Sequence, residues 1–232
     1  MGIIVANWKM NGNPDFADNF IEEINAADSE NTVVVCPPAP LLGRFRNFRY
    51  DVGAQNCFCE EKGAFTGENS PRLLREIGCK YVIVGHSERR SIFHETDDLI
   101  FKKHLAVVAE NMIPIVCIGE NAENRDNREK VISDQLSFFL NNPGSTDKTP
   151  CFAYEPVWGI GTGLIPSPEE IETIFAFIRN LLGDKVSLLY GGSVNAKNSS
   201  EILSRKNVDG LLIGGASLKA DEFKKIIEEK SF

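Results

Sequence analysis

Eight short apolar runs, each followed by a helical pattern or a helical turn, constrain this chain more than anything else in it. The runs are Ile3–Asn7, Val33–Cys36, Asp51–Asn56, Tyr81–Val84, Ile113–Ile118, Cys151–Tyr154, Val186–Tyr190 and Val208–Ile213. They are continuous and do not alternate with polar residues, as expected of strands covered on both faces. Between them Asn13-Pro14 opens a helix with Phe16, Phe20, Ile21 and Ile24 on one face. Leu41–Phe48 reads as a weak helix, and Ser70-Pro71 opens a short one that Gly78 ends. Thr96 caps a helix with Asp97 and Asp98 in its first turn. Another carries Val131, Ile132, Leu136, Phe139 and Leu140, and the loop Asn141–Thr149 follows it. Ser167-Pro168-Glu169-Glu170 is a capping box, and its helix buries Ile171, Ile174, Phe175, Ile178 and Leu182 before Gly183. A short helix begins near Asn195, and a last one carries Phe223, Ile226 and Ile227.

Eight βα units in 232 residues predict a (β/α)8 barrel, one domain spanning residues 1–232. An open doubly wound sheet usually sets its phosphate-binding glycines after strand one. Here Asn7-Trp8-Lys9 follows strand one, and the glycines gather after strands six, seven and eight. That is where a barrel places its phosphate site. The balance of 33 acids against 25 bases disfavours nucleic acid and a polybasic membrane anchor. No apolar run reaches the roughly 20 residues needed to span a bilayer. The N-terminus reads as a strand, not a signal peptide. The six cysteines suit buried reduced thiols in a cytosolic protein, since the Cys57/Cys59 spacing matches no zinc site.

A barrel carries its chemistry at the carboxyl ends of its strands. Those ends offer Asn7 and Lys9, then the cluster Gly85-His86-Ser87-Glu88-Arg89-Arg90, then Glu155, Gly191-Gly192-Ser193 and Gly214-Gly215. Glu155 is followed by Pro156 and a glycine-rich loop with Gly159, Gly161 and Gly163, a pattern suited to a base under a lid. Taken alone, that stretch also fits a surface turn with a solvated glutamate. Together these residues suggest proton transfer next to a carbonyl in a phosphorylated molecule. Glu155 serves as general base, and His86 polarises a carbonyl or shuttles a proton. Lys9 offers charge to an enolate and a phosphate. Gly161, Ser193, Gly214 and Gly215 offer backbone N–H groups to phosphate oxygens. His94 and His104 read as structural, and no grouping has metal-ligand spacing.

Seven stretches, in order, carry a close resemblance to the triosephosphate isomerase family. They are Ala6–Asn11, Gly63–Glu68, Gly85–Arg90, Cys117–Glu120, Tyr154–Gly163, Tyr190–Val194 and Asp209–Leu218. The resemblance implies a TIM barrel that interconverts dihydroxyacetone phosphate and glyceraldehyde 3-phosphate without a cofactor. This family is itself a standing example of a tuned acid/base pair and of lid closure. By resemblance Glu155 is the base, His86 the neutral electrophile, and Lys9 and Asn7 the polar pair after strand one. Glu88 is an acid near the lysine, and Gly161, Ser193, Gly214 and Gly215 form the phosphate cradle. Thr66 lies in a loop that, in the family, enters a second subunit, so a homodimer is implied.

The chain departs from the family at the far end of the lid, where Leu164-Ile165-Pro166 stands. Proline fixes φ, so altered lid opening is expected with the chemistry intact. Gly159 in place of the family's common alanine should loosen the lid slightly. After Glu120 the stretch Asn121–Arg125 keeps only the ends of the family's pattern. Two other readings compete. Another sugar-phosphate isomerase or epimerase would share the phosphate cradle but not the His86 cluster with the Glu155 lid. An inactive barrel kept for protein contacts would have lost Lys9, His86 or Glu155.

Overall fold

The computed structural model describes residues 2–142 and 150–229. Its eight strands are β1 (Ile3–Asn7), β2 (Thr32–Cys36), β3 (Asp51–Ala54), β4 (Tyr81–Val84), β5 (Ile113–Ile118), β6 (Cys151–Tyr154), β7 (Ser187–Tyr190) and β8 (Gly210–Ile213). Each pairs in parallel with the next, and β8 returns to β1, so the sheet closes into the expected barrel. The continuous apolar runs follow from that closure. Alternate residues such as Val5, Val34, Ile83, Ile115, Cys117, Ala153 and Leu189 fill the barrel's interior. Their neighbours, among them Ile4, Ala6, Val82, Val84, Val116 and Phe152, pack outward against the helices.

The helices are α1 (Pro14–Asn25), α2 (Pro71–Glu76), α3 (Ser87–Ile92), α4 (Asp97–Ala109), α5 (Arg128–Leu140), α6 (Pro168–Leu182), α7 (Ser199–Leu203) and α8 (Ala220–Ile227). The side chains of Asn13, Ser70, Thr96 and Ser167 each cap the helix they were expected to open. At α6 the capping box is complete, with Ser167 and Glu170 each bonding the other's backbone.

The structure differs from the sequence reading at several edges. The stretch expected as a weak helix is 3-10 over Ala39–Asn47, and a second 3-10 turn, unread in the sequence, runs over Ala122–Asn127. β3 stops at Ala54, and just beyond it Gln55 donates its side-chain amide to the Lys9 and Cys36 carbonyls. β8 starts at Gly210, after Asp209 has engaged Arg179 and the Leu188 N–H. α7 starts at Ser199 because the side chains of Asn195 and Asn198 first satisfy local backbone N–H groups. Leu182 is only half-buried at the end of α6. α3 was not expected: its residues read as a polar cluster, yet they form a helix with His86 at its N-cap. All six cysteines are free, with Cys59 half-buried and the others buried. The expected loop Asn141–Thr149 lies largely outside the described residues. Among the described residues no helix is long and apolar enough to cross a membrane.

Candidate active site

The carboxyl ends of the strands enclose a cavity of about 410 Å³. Its lining includes Asn7, Lys9, His86, Glu155, Gly161, Ser193, Gly214 and Gly215. One site therefore receives all but two of the residues singled out in the sequence. Glu88 lies just beyond, on an adjoining hollow that also reaches Asn7, Lys9 and His86. Thr66 is exposed on the loop between β3 and α2 and lines neither, although the residues after it, Gly67, Glu68 and Asn69, line the adjoining hollow.

β1 ends by delivering Asn7 and Lys9. Lys9 takes a left-handed backbone, φ 52°, which a lysine adopts only when held. Two bonds hold it here. The Asn7 side chain accepts the Lys9 N–H at 3.1 Å, and the Gln55 amide donates to the Lys9 carbonyl at 2.8 Å. Lys9 Nζ meets Glu88 Oε1 at 2.6 Å, which fixes the ammonium at the cavity edge. Gln55 escaped the sequence reading because it was placed inside strand three. The rule that selected the others, polar residues at strand ends, would have found it had the strand been ended two residues earlier.

β4 delivers His86. The Glu88 backbone N–H donates to His86 Nδ1 at 3.2 Å, so Nδ1 is an acceptor and Nε2 carries the proton. Nε2 in turn lies 3.0 Å from Glu155 Oε1. Burial resists charge on His86, but the carboxylates of Glu155 and Glu88 outweigh it and raise its pKa. Arg90 braces this corner by donating to the carbonyls of Gly85 and Cys117 and pairing with Asp97.

β6 delivers Glu155, which is 2% exposed. Burial would raise its pKa, yet His86, the Ser87 N–H at 2.8 Å and Lys9 more than reverse this, and the net shift is downward. A buried carboxylate that stays ionised is what a general base requires. Two glycines let neighbouring strands close on it. A Cβ on Gly119 would fall 1.8 Å from the Glu155 carbonyl oxygen, and one on Gly191 would fall 3.1 Å from its Cγ. The next carboxylate along the barrel mouth, Glu120 after β5, accepts from Tyr154 Oη at 3.1 Å and Trp158 Nε1 at 2.9 Å.

The segment after Glu155 begins with a 3-10 turn over Val157–Gly159, and residues 161–165 are exposed. The Ser193 hydroxyl donates to the Gly159 carbonyl at 2.7 Å, tying the turn after β7 to the base of this segment. A Cβ on Gly159 would lie 2.7 Å from the Leu164 carbonyl oxygen. Glycine there permits this close approach of the loop to itself. His104 is fully buried, stacked on Phe101 and edge-on to Phe139, while His94 is exposed. Neither lines the site.

The family model for triosephosphate isomerase matches residues 2–230. The chain belongs to the triosephosphate isomerase family. A triosephosphate isomerase of Alkaliphilus oremlandii is 43% identical over 242 residues, covering 97% of this chain and 98% of the relative. Those of Clostridium tetani and Aquifex aeolicus are 43% and 42% identical, with 96% and 98% of their lengths covered.

Proposed function

We propose that this chain is a triosephosphate isomerase, one catalytic domain over residues 1–232, which interconverts dihydroxyacetone phosphate and D-glyceraldehyde 3-phosphate. The observation that carries this reading is the pair formed by Glu155 and His86. An ionised, buried carboxylate lies 3.0 Å from a histidine nitrogen that bears a proton, on a cavity edged by an ammonium. Glu155 removes a proton from C1 of the ketose and returns it to C2. His86 donates from Nε2 to the substrate oxygens while the hydroxyl proton passes from O1 to O2. One C–H bond breaks and one forms, so no cofactor is needed. Lys9 stabilises the enediolate charge, and Asn7 and Glu88 hold Lys9 in place. Gly161, Ser193, Gly214 and Gly215 cradle the phosphate, and closure of the segment after Glu155 excludes water and strengthens these interactions.

Glu155 lies against Ser87 N–H in the observed geometry and must turn away from it to reach a substrate carbon. That movement also removes the main influence raising the His86 pKa, so His86 acts as a neutral acid. The homodimer belongs to the same proposal. Met10, Ile92 and Phe93 are large, exposed apolar residues around the hollow of about 520 Å³ beside Lys9. The loop bearing Thr66 from a second copy is the occupant we assign to it, in a cytoplasmic glycolytic enzyme.

The test is turnover of glyceraldehyde 3-phosphate by the wild type beside Glu155→Gln, with folding and dimer mass checked for both. The wild type should be active and the variant slower by about 10²–10⁴-fold, the usual contribution of a positioned base. A folded, dimeric wild type without turnover would discard the proposal.

A further inference from the structure

Arg125 is the one matched residue at the far end of the divergent stretch after Glu120, and the chemistry above gives it no role. Its guanidinium carbon sits 4.0 Å from the ring centroid of Trp158, in cation–π geometry. Trp158 belongs to the first turn of the glycine-rich lid. The same guanidinium pairs with Glu170 Oε1 at 3.0 Å, and Arg128 reaches that oxygen at 3.4 Å. The other oxygen of Glu170 accepts the Ser167 N–H at 2.8 Å. Ser167 is where the chain leaves the lid and enters α6. One side chain thus joins the entry of the lid to its exit: Trp158 face, Arg125, Glu170 carboxylate, Ser167 backbone.

In this geometry residues 161–165 of the lid are exposed and Glu155 is engaged by Ser87 N–H. Trp158 is held along its edge by Glu120 and over its face by Arg125. The cation–π contact and the ion pair with Glu170 are both made in this geometry. We propose that Arg125 is a positioning residue that clamps both ends of the lid in its resting place and so sets the balance between open and covering positions. This rests on the isomerase reading for its consequence in turnover, while the clamp itself is a statement about residues 157–167.

The chain offers a direct probe, because its two tryptophans are Trp8, fully buried, and Trp158. The experiment follows Trp158 emission and binding of 2-phosphoglycolate, whose planar carboxylate mimics an enediolate, in wild type and Arg125→Gln. The variant's free-state emission should move toward that of the ligand-bound wild type. Its affinity for 2-phosphoglycolate should tighten about two- to fivefold, the size of an exposed cation–π contact. KM should fall with it while kcat does not rise. Arg125→Lys, which keeps a cation over the ring, should recover part of the wild-type emission. Glu170→Gln keeps the capping box but removes the ion pair, and should act in the same direction with a smaller effect that does not add to Arg125→Gln. Unchanged emission and affinity in an Arg125→Gln protein that melts like the wild type would overturn the clamp, as would weakened affinity. An inactive wild type would remove the isomerase reading but leave the free-state emission, and hence the clamp, tested.

Discussion

Glu120 and Glu155 stand on neighbouring strands at the same end of the barrel and are equally hidden, 1% and 2% exposed. Their protons are nonetheless pushed in opposite directions. At Glu120 burial dominates, and the Trp158 and Tyr154 donors offset it only in part, so the pKa is raised. At Glu155 the burial penalty is overturned by His86, the Ser87 N–H and Lys9, and the pKa is lowered. Burial sets the penalty for both, and what each carboxylate faces decides the outcome. Glu155 faces the cavity and a proton-bearing histidine. Glu120 faces two neutral donors on the lid's approach and holds Trp158 in place. Position at a strand's carboxyl end therefore nominates a residue, and its neighbours assign the work.

Paired substitutions give the strongest test of that contrast. Glu155→Gln should lower kcat by about 10²–10⁴-fold. Glu120→Gln keeps an oxygen for the Tyr154 and Trp158 donors and should stay within about tenfold, a loss of the order of a hydrogen bond to a charged group. Steady-state kinetics on both variants decides it, and an equal loss at Glu120 would erase the distinction. The hinge between the two acids offers a second test. In Gly119→Ala the added methyl meets the Glu155 carbonyl oxygen 1.8 Å away, on a residue whose N–H is bonded to the Ile118 carbonyl. Urea unfolding should show a loss of about 2 kcal/mol or more, in the range of overpacked cores, with activity falling further than stability as the base shifts.

The acids should also differ in how their contributions change with pH. The lowered pKa of Glu155 gives stability that is present above the unfolded-state value, about 4.3, and is lost as pH falls through the folded value. The raised pKa of Glu120 gives the reverse: its contribution is complete below about 4.3 and is lost as pH rises through the folded value. Measured against wild type by urea midpoints, Glu155→Gln should become relatively less stable as pH rises toward 4.3. Glu120→Gln should become relatively more stable as pH rises above it. Parallel curves for the two variants would mean that the opposite shifts are not real.

The sequence made the barrel legible because closure demands apolar residues on both faces of every strand, and eight such runs leave few alternatives. The cavity-lining residues were legible for a related reason: strand ends converge, so Asn7, Lys9, His86 and Glu155 could be brought together without knowing any distance. What stayed hidden depends on side chains meeting across the fold. The role of Gln55 appears only when its amide is seen bridging the Lys9 and Cys36 carbonyls. α3 was hidden because its cap is the imidazole of His86, not one of the small polar residues by which a helix start is usually recognised. The different states of Glu120 and Glu155 were invisible for the same reason, since both follow an apolar strand and each sits beside a glycine or proline.

The smallest expected effect lies at the other end of the lid from Glu120. Trp158, at the entry, is held by side-chain contacts, whereas the exit is restrained by Pro166, which is buried next to the exposed Leu164 and Ile165. A proline limits the conformations its segment can visit, an effect worth about 0.4–1 kcal/mol at a compatible site. Pro166→Ala should therefore speed lid exchange by about two- to fivefold, the same energy expressed as a rate, while turnover changes by less than that. Temperature-jump relaxation of Trp158 emission measures the exchange directly. Identical relaxation rates would place the control of the lid wholly at its entry, with Glu120 and Arg125, and make the exit a passive tether.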